Sequence, residues 1–341
     1  MKKRSWIKYL IIIAVVLVIA WYPTGYYCMF PGEALNLNEV ITGGKYEPET
    51  SFHMTTVTMV RANLPILIYG KLNSSARVLP EKSVIPQGWD VEEYNQYNRY
   101  QMQNSHNNAK QASANWLNVP YSIQEGHVKA IRVIENSPAN NVLQSQDIIL
   151  SINGVSFNSV SKAIETLTTH KPNDKVSMII ERNSEQKELE IVLGKHPDDE
   201  SRAFLGVTLI NEDRKIDFTG DNKITIETGN ISGPSAGLMM TMEIINKMIE
   251  TDITSGKQIA GTGTIDGSGK VGKIGGINQK LIAAHKKGIE IFFVPKDNVE
   301  EITLPESKYE GMALVTVETL QDALDYLMNN ERVAHILPIV A

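Results

Sequence analysis

Apolar and polar positions divide the first third of this chain into unlike stretches. Tyr9 to Tyr22 (YLIIIAVVLVIAWY) is continuously apolar. With Trp6, Ile7 and a snorkelling Lys8 it approaches the roughly 17 to 20 residues a helix needs to cross a bilayer. Turns at Phe30-Pro31-Gly32 and Thr42-Gly43-Gly44-Lys45 bracket short runs with strand character: Ala34 to Ile41, Ser51 to Val60 and Leu64 to Tyr69. Thr55 to Val60 (TTVTMV) is the richest in β-branched residues, which suit a pleated surface. Pro80 to Gly88 interrupts the pattern. Residues 89 to 117 are rich in Asn, Gln and Tyr, lack Gly and Pro, and repeat Val91, Tyr94 and Tyr97 about once per turn. That composition predicts a polar helical hairpin, with a disordered insert as the alternative.

From residue 119 the periodicity is that of a small α+β unit. Strands are predicted at Val128 to Ile134, at Asp147 to Ile152 (ending in the Asn153-Gly154 turn), at Lys175 to Arg182 and at Glu188 to Leu193. Between them, Ser159 to Thr169 places Val160, Ala163, Ile164 and Leu167 on one helical face. Further on, the strand Lys223 to Thr228 leads through Gly229 to Gly237 into a helix from Ala236 to about Glu250. A strand from Gln258 to Ile265, a turn at Asp266 to Gly269, the run Lys270 to Ile274 and a helix from Ile277 to Lys287, closed by Gly288, complete the pattern.

Composition narrows the chemistry. With 39 Asp+Glu against 33 Lys+Arg the chain is mildly acidic, and it has no basic cluster beyond its N-terminus to suggest nucleic acid. One cysteine, Cys28, excludes an intramolecular disulfide, and seven scattered histidines show no metal-ligand spacing, so neither metal nor cofactor is expected. Lys2-Lys3-Arg4 precedes the apolar run, and no positive charge follows it until Lys45. The residues behind the run are bulky (Trp21, Tyr22, Tyr26, Tyr27), which disfavours a cleavage site and suits an interfacial aromatic belt. These features predict a signal anchor with a cytoplasmic N-terminus and an extracellular body.

Two stretches carry candidate chemistry. Gly233-Pro234-Ser235-Ala236-Gly237 sets a serine on a strand-to-helix turn, near helix N–H groups able to stabilise an oxyanion. A serine that merely caps the helix fits the same pattern. No histidine near the turn has an obvious Asp partner, but a lysine serves as base if burial lowers its pKa by roughly 3 units. Lys280 lies at the edge of the stripe Ile277, Leu281, Ala284, and the pattern alone favours a surface lysine. Gly267-Ser268-Gly269-Lys270 lacks the first glycine and the final Ser/Thr of a phosphate loop, so a hairpin turn is expected there and ATP is not implied.

Ser137-Pro138-Ala139, Asp147-Ile148-Ile149 and Ile152-Asn153-Gly154 resemble the PDZ domains of bacterial envelope proteases. The resemblance places the carboxylate-gripping loop around Val119 to Ile123. That stretch lacks the usual glycines, which favours docking of an extended segment over a free C-terminus. Gly233 to Gly237, Thr262-Gly263 and Ile274 to His285 strongly resemble the proteolytic domain of Lon-type peptidases. The resemblance implies Ser235 as nucleophile, Lys280 as its general base and Thr262 as the hydroxyl that orients the lysine. Gly233, Pro234 and Ala236 then shape a turn whose backbone N–H groups meet the oxyanion. His285 is implied to be structural, and Ser232 stands where many Lon enzymes carry an acid.

The whole layout resembles the membrane-anchored PDZ–Lon-like proteases of Gram-positive bacteria, the YlbL/SepM-like family. The implied fold is α+β and multidomain: a tail and transmembrane helix (1–25), a β-rich juxtamembrane region with a helical insert (26–118), a PDZ domain (119–196) and a Lon-type proteolytic domain (200–341). The implied function is an ATP-independent serine endopeptidase outside the membrane that cuts flexible peptides or disordered segments docked by the PDZ domain. A non-catalytic scaffold that recruits partners through its PDZ domain, and a Ser–Lys signal peptidase, are the competing readings. Peptide or protein substrates and the membrane are the expected partners, nucleic acid is not, and a homo-oligomer is left open.

Overall fold

The computed structural model of the chain describes residues 5–220 and 223–328. Lys2-Lys3-Arg4 and the end of the expected proteolytic domain, 329–341, lie outside them. The described chain opens with helix Ser5–Trp21 (α1), strands Pro23–Asn36 (β1) and His53–Asn63 (β2), helix Leu64–Leu72 (α2) and strand Arg77–Pro80 (β3). Helix Val91–Leu117 (α3) follows, then strands Tyr121–Gln124 (β4), His127–Val133 (β5) and Ile148–Ile152 (β6), helix Val160–Thr168 (α4), and strands Lys175–Arg182 (β7), Glu185–Val192 (β8), Val207–Glu212 (β9) and Lys215–Phe218 (β10). The last third runs through helix Gly237–Met248 (α5), strand Ile259–Gly261 (β11), the hairpin Thr264–Ile265 (β12) and Val271–Gly272 (β13), helix Ile277–Lys287 (α6), strands Ile291–Pro295 (β14) and Ala313–Val317 (β15), and helix Leu320–Met328 (α7).

Two compact units result. One holds residues 1–86, 225–227 and 235–341; the other holds 87–224 and 228–234. The first is built on a six-stranded sheet in the order β15-β14-β11-β2-β1-β3. Its C-terminal half is parallel, and β2 joins β11 in the same sense, while β1 pairs antiparallel with both β2 and β3. Residues 26–80, part of the juxtamembrane region expected over 26–118, therefore contribute to three strands of the sheet that also contains 259–317. Such pairing is long-range and leaves no local mark in sequence. Ile277, Leu281 and Ala284 of α6 close over Ala260, Phe292 and Val294 in one apolar cluster.

The second unit contains an antiparallel sheet in the order β8-β7-β6-β5-β9, filled by Val128, Ile149, Ile152, Val176, Met178, Ile180 and Ala163. Asp147, almost wholly buried, takes a two-pronged ion pair from Arg182, with both distances 2.7 Å, and accepts the Gln144 N–H. A buried carboxylate is tolerated only with such partners, which gives a physical reason for that aspartate.

Several local expectations change. Leu64–Leu72 is a helix and not a strand: Asn63 caps it by accepting the Ile66 N–H, and Pro65 sits in its first turn, where no N–H is needed. Residues 91–117 form one uninterrupted helix in place of a hairpin, opened by a reciprocal Asp90–Glu93 capping box and closed by Asn118 in the left-handed conformation. The expected membrane anchor is overturned. Helix α1 has 17 residues, about 25 Å at the helical rise, against a hydrocarbon core of about 30 Å. Pro23 already starts β1, and Tyr27 of the supposed aromatic belt is buried in that strand. No helix among the described residues is long and apolar enough to cross a membrane. The predicted single-pass topology, with its cytoplasmic N-terminus and extracellular body, falls with the anchor.

Helix α5 is buried on every side and carries Glu243 inside the first unit. Glu243 accepts the Phe52 N–H at 2.9 Å, and its other oxygen has no hydrogen-bond partner among the described residues. Burial pushes this carboxyl up to about 7, against the opposing pull of the Phe52 N–H and Lys247. Between about pH 4.5 and pH 7 the folded chain thus holds a proton the unfolded chain has lost, and stability falls as pH rises through that window, by up to about 3 kcal/mol. Denaturant unfolding at the two ends of the window should show Glu243→Gln losing less stability with rising pH than the wild type. An identical pH dependence for both proteins would contradict the assignment.

Candidate active site

Four segments of the first unit converge on one amine. Ser235 enters from a turn in which Gly233 has φ +90°, a conformation L side chains rarely adopt. Ala236 is the N-cap of α5, so Ser235 stands immediately outside the helix N-terminus, half-buried. Its carbonyl is held twice, by the Thr262 hydroxyl at 3.0 Å and the Gly263 N–H at 2.9 Å, while the Leu238 N–H donates to Gly263 O. The start of α5 is thereby stitched to the segment that follows β11.

Lys280 projects from α6. Gly276, at the N-cap with φ +75°, lets that helix approach the sheet: a Cβ there would lie 2.7 Å from the Met29 sulfur and 3.1 Å from Val57. Only 2% of Lys280 is exposed, so the structure decides against a surface lysine. Its Nζ lies 2.7 Å from Thr55 O, 2.8 Å from Ser235 Oγ and 3.1 Å from Thr262 Oγ. Burial lowers its pKa from 10.5 to about 7, and no carboxylate contributes to offset that shift.

The partners decide how a neutral amine is arranged. Thr55 O can only accept, and the Thr262 hydroxyl has already given its hydrogen to Ser235 O, so toward Lys280 it accepts as well. Those two acceptors take the two amine hydrogens. The nitrogen lone pair is left facing the Ser235 hydroxyl, the orientation a base needs to remove its proton.

Of the residues singled out by sequence, Ser235, Thr262 and Lys280 meet at this point, and Gly233, Pro234 and Ala236 form the approach to it. The Gly233 N–H, however, donates to Asn98 O at 3.0 Å, and proline has none. The oxyanion donors expected from the whole turn narrow to the N–H groups of Ser235 and Ala236. His285 is exposed on the last turn of α6, and Ser232 is exposed too. Thr55 was missed: a backbone carbonyl has no residue-type signature, and only the β-branched run around it marked a strand. Gly267 to Lys270 lies in the β12–β13 hairpin, where Asp266 accepts the N–H groups of Ser268 and Lys270.

In the second unit, the stretch expected to grip a carboxylate, Val119 to Ile123, runs into β4, which pairs with β10 along Tyr121 to Gln124. The outer strand of the main sheet is β9, and the N-terminus of α4 is tied to it where the Val160 N–H donates to Asn211 Oδ1 at 2.6 Å.

Residues 210–330 match the Lon protease C-terminal proteolytic domain, and residues 101–193 match the PDZ domain. The chain carries a Lon-type proteolytic domain and a PDZ domain. The Lon protease of Haemophilus influenzae is 36% identical over 99 residues, 29% of this chain and 12% of that protein. That of Acinetobacter baumannii is 37% identical over 93 residues, 27% of this chain and 11% of that protein. The chain thus spans about an eighth of the length of these relatives. Among solved structures it is similar to the PDZ domain of an SdrC-like protein from Listeria monocytogenes, at 24% identity over 26% of this chain and 92% of that one, with a TM-score of 0.24. The corresponding domain from Listeria innocua gives 26% identity over 24% and 92%, with a TM-score of 0.23. The Lon-type domain supports a serine peptidase, and Ser235 lies within the matched residues.

If Lys280 acts as drawn, Ser235 should react with a fluorophosphonate only as the amine becomes neutral. Labelling should rise with pH through about 7 and level off about a unit above it. A rate that does not change between about pH 6 and pH 8 would exclude a lysine of this pKa as the base.

Proposed function

We propose that this protein is an ATP-independent serine endopeptidase in which Ser235 is the nucleophile and Lys280 the general base. The observation that carries the reading is the buried Lys280 Nζ 2.7 Å from Thr55 O, 3.1 Å from Thr262 Oγ and 2.8 Å from Ser235 Oγ, a set in which a neutral amine gives its two hydrogens to the first two and turns its lone pair to the serine hydroxyl. Lys280 takes the hydroxyl proton as Ser235 Oγ bonds to the substrate carbonyl carbon. The oxyanion is met by the N–H groups of Ser235 and Ala236 at the positive end of α5, where one such donor is typically worth about 3 to 4 kcal/mol. Lys280 then returns the proton to the leaving amine as the C–N bond breaks. Water, deprotonated by the same amine, resolves the acyl-enzyme and restores the serine.

ATP independence is supported by the absence of a phosphate loop from these 341 residues. Substrates that need no unfolding, flexible peptides and disordered segments, suit a reaction run without ATP. The PDZ domain docks them by accepting an extended segment as a strand along the outer edge of β9, beside α4.

Ser235→Ala and Lys280→Ala should each lower kcat for an unstructured peptide by about 10³-fold or more while leaving the fold intact by circular dichroism. Thr262→Val, which frees the lysine but keeps it buried, should cost about tenfold. Full cleavage by the Ser235 or Lys280 variant would leave a scaffold that recruits partners through its PDZ domain as the better reading.

A further inference from the structure

Helix α3 belongs to the unit that also contains the segment 228–234, and it grips that segment at both ends. His106 Nε2 lies 3.1 Å from Thr228 Oγ, the Gly233 N–H donates to Asn98 O at 3.0 Å, and Ser105 Oγ donates to Pro234 O at 3.2 Å. Ser105 is 2% exposed. A helical serine commonly turns its hydroxyl back to the carbonyl one turn earlier, as Ser113 of the same helix does toward Ala109 O. Ser105 sends its hydrogen outside the helix.

The atom it holds matters because of peptide geometry. Pro234 O and the Ser235 N–H belong to one planar trans peptide and point in opposite directions. Whatever holds the carbonyl oxygen on one side aims the N–H on the other. The Ser232–Gly233 plane, two before it, is held as well, through the Gly233 N–H, so the flip open to the Pro234–Ser235 plane is a turn about Pro234 ψ and Ser235 φ.

We propose that Ser105 is a positioning residue for the reaction: by fixing the Pro234–Ser235 peptide plane it keeps the Ser235 N–H directed at the oxyanion. The inference rests on the peptidase reading above. A flip of this plane would leave Ser235 Oγ and Lys280 free to meet, yet would turn an acceptor, Pro234 O, toward the developing negative charge. Losing the Ser105 hydroxyl therefore weakens transition-state binding without weakening ground-state binding.

The test compares wild type, Ser235→Ala, Ser105→Ala and Lys110→Ala on an unstructured peptide, together with binding of a peptide boronic acid whose adduct puts an oxygen in the oxyanion position. Lys110 lies on the same helix and pairs with exposed Asp217, so its removal controls for general damage to α3. Ser105→Ala should lose about 10- to 100-fold in kcat with KM within about twofold, and should bind the boronate more weakly by the same factor. Lys110→Ala should match the wild type in all three. Unchanged kcat or boronate affinity in Ser105→Ala, or a KM change that accounts for the loss, overturns the positioning role. Cleavage that is absent from the wild type, or that survives in Ser235→Ala, instead overturns the reading on which it rests.

Discussion

Burying a lysine amine costs several kcal/mol if it stays charged, and the first unit is arranged around that cost. Lys280 is withdrawn from water with no carboxylate to hold its proton, so its pKa drops to about 7 and the neutral form becomes accessible. A neutral amine still has two hydrogens to place. Thr55 O and Thr262 Oγ take them, and both acceptors come from adjoining parts of one sheet, β2 and the end of β11. The sheet thus does two jobs at once: it supplies the apolar cover that lowers the pKa and the polar atoms that orient the lone pair.

The same sheet sets the serine. The Ser235 carbonyl is anchored by Thr262 and Gly263, immediately beyond β11, so the hydroxyl that accepts from Lys280 also fixes the backbone of Ser235. Thr55 adds to the stitching through its own hydroxyl, which donates to Gly261 O. The Thr262 hydroxyl touches both partners of the pair, donating to Ser235 O and accepting from Lys280. Glu243, two turns further along α5, ties that helix to the start of β2 through the Phe52 N–H, only three residues before the Thr55 carbonyl.

The long polar helix α3 acquires a reason in this setting. One face of it grips the β9–β10 region: Asn107 bridges Arg214 O and the Ile216 N–H, and the Tyr100 hydroxyl meets the Asn211 N–H. Asn98, Ser105 and His106 grip 228–234. His106 is pushed down to about 4, first by burial and then by Lys110, so at neutral pH it is an uncharged hydrogen-bonding group. The polar residues of α3 serve two faces: Ser105, Asn107 and Tyr100 satisfy backbone groups of other segments, while Glu92, Asn95, Arg99 and Gln103 are exposed.

Sequence alone determined the features that depend on residue type and local spacing: the PDZ-like strands, the turn at Gly233 to Gly237 that leads into a helix, and the helix beginning at Ile277. Helical spacing put Lys280 at the edge of an apolar stripe but could not say on which side of the surface it lay, because that depends on what packs over the helix. Tertiary structure alone decided its burial, the Thr55 carbonyl as its acceptor, the membership of 23–80 in the sheet of the first unit, and the end of α1 short of a membrane span. The sheet membership and the Lys280 acceptor are settled by long-range contacts: a strand partner about 200 residues away, and a carbonyl that every residue possesses and only the fold can aim.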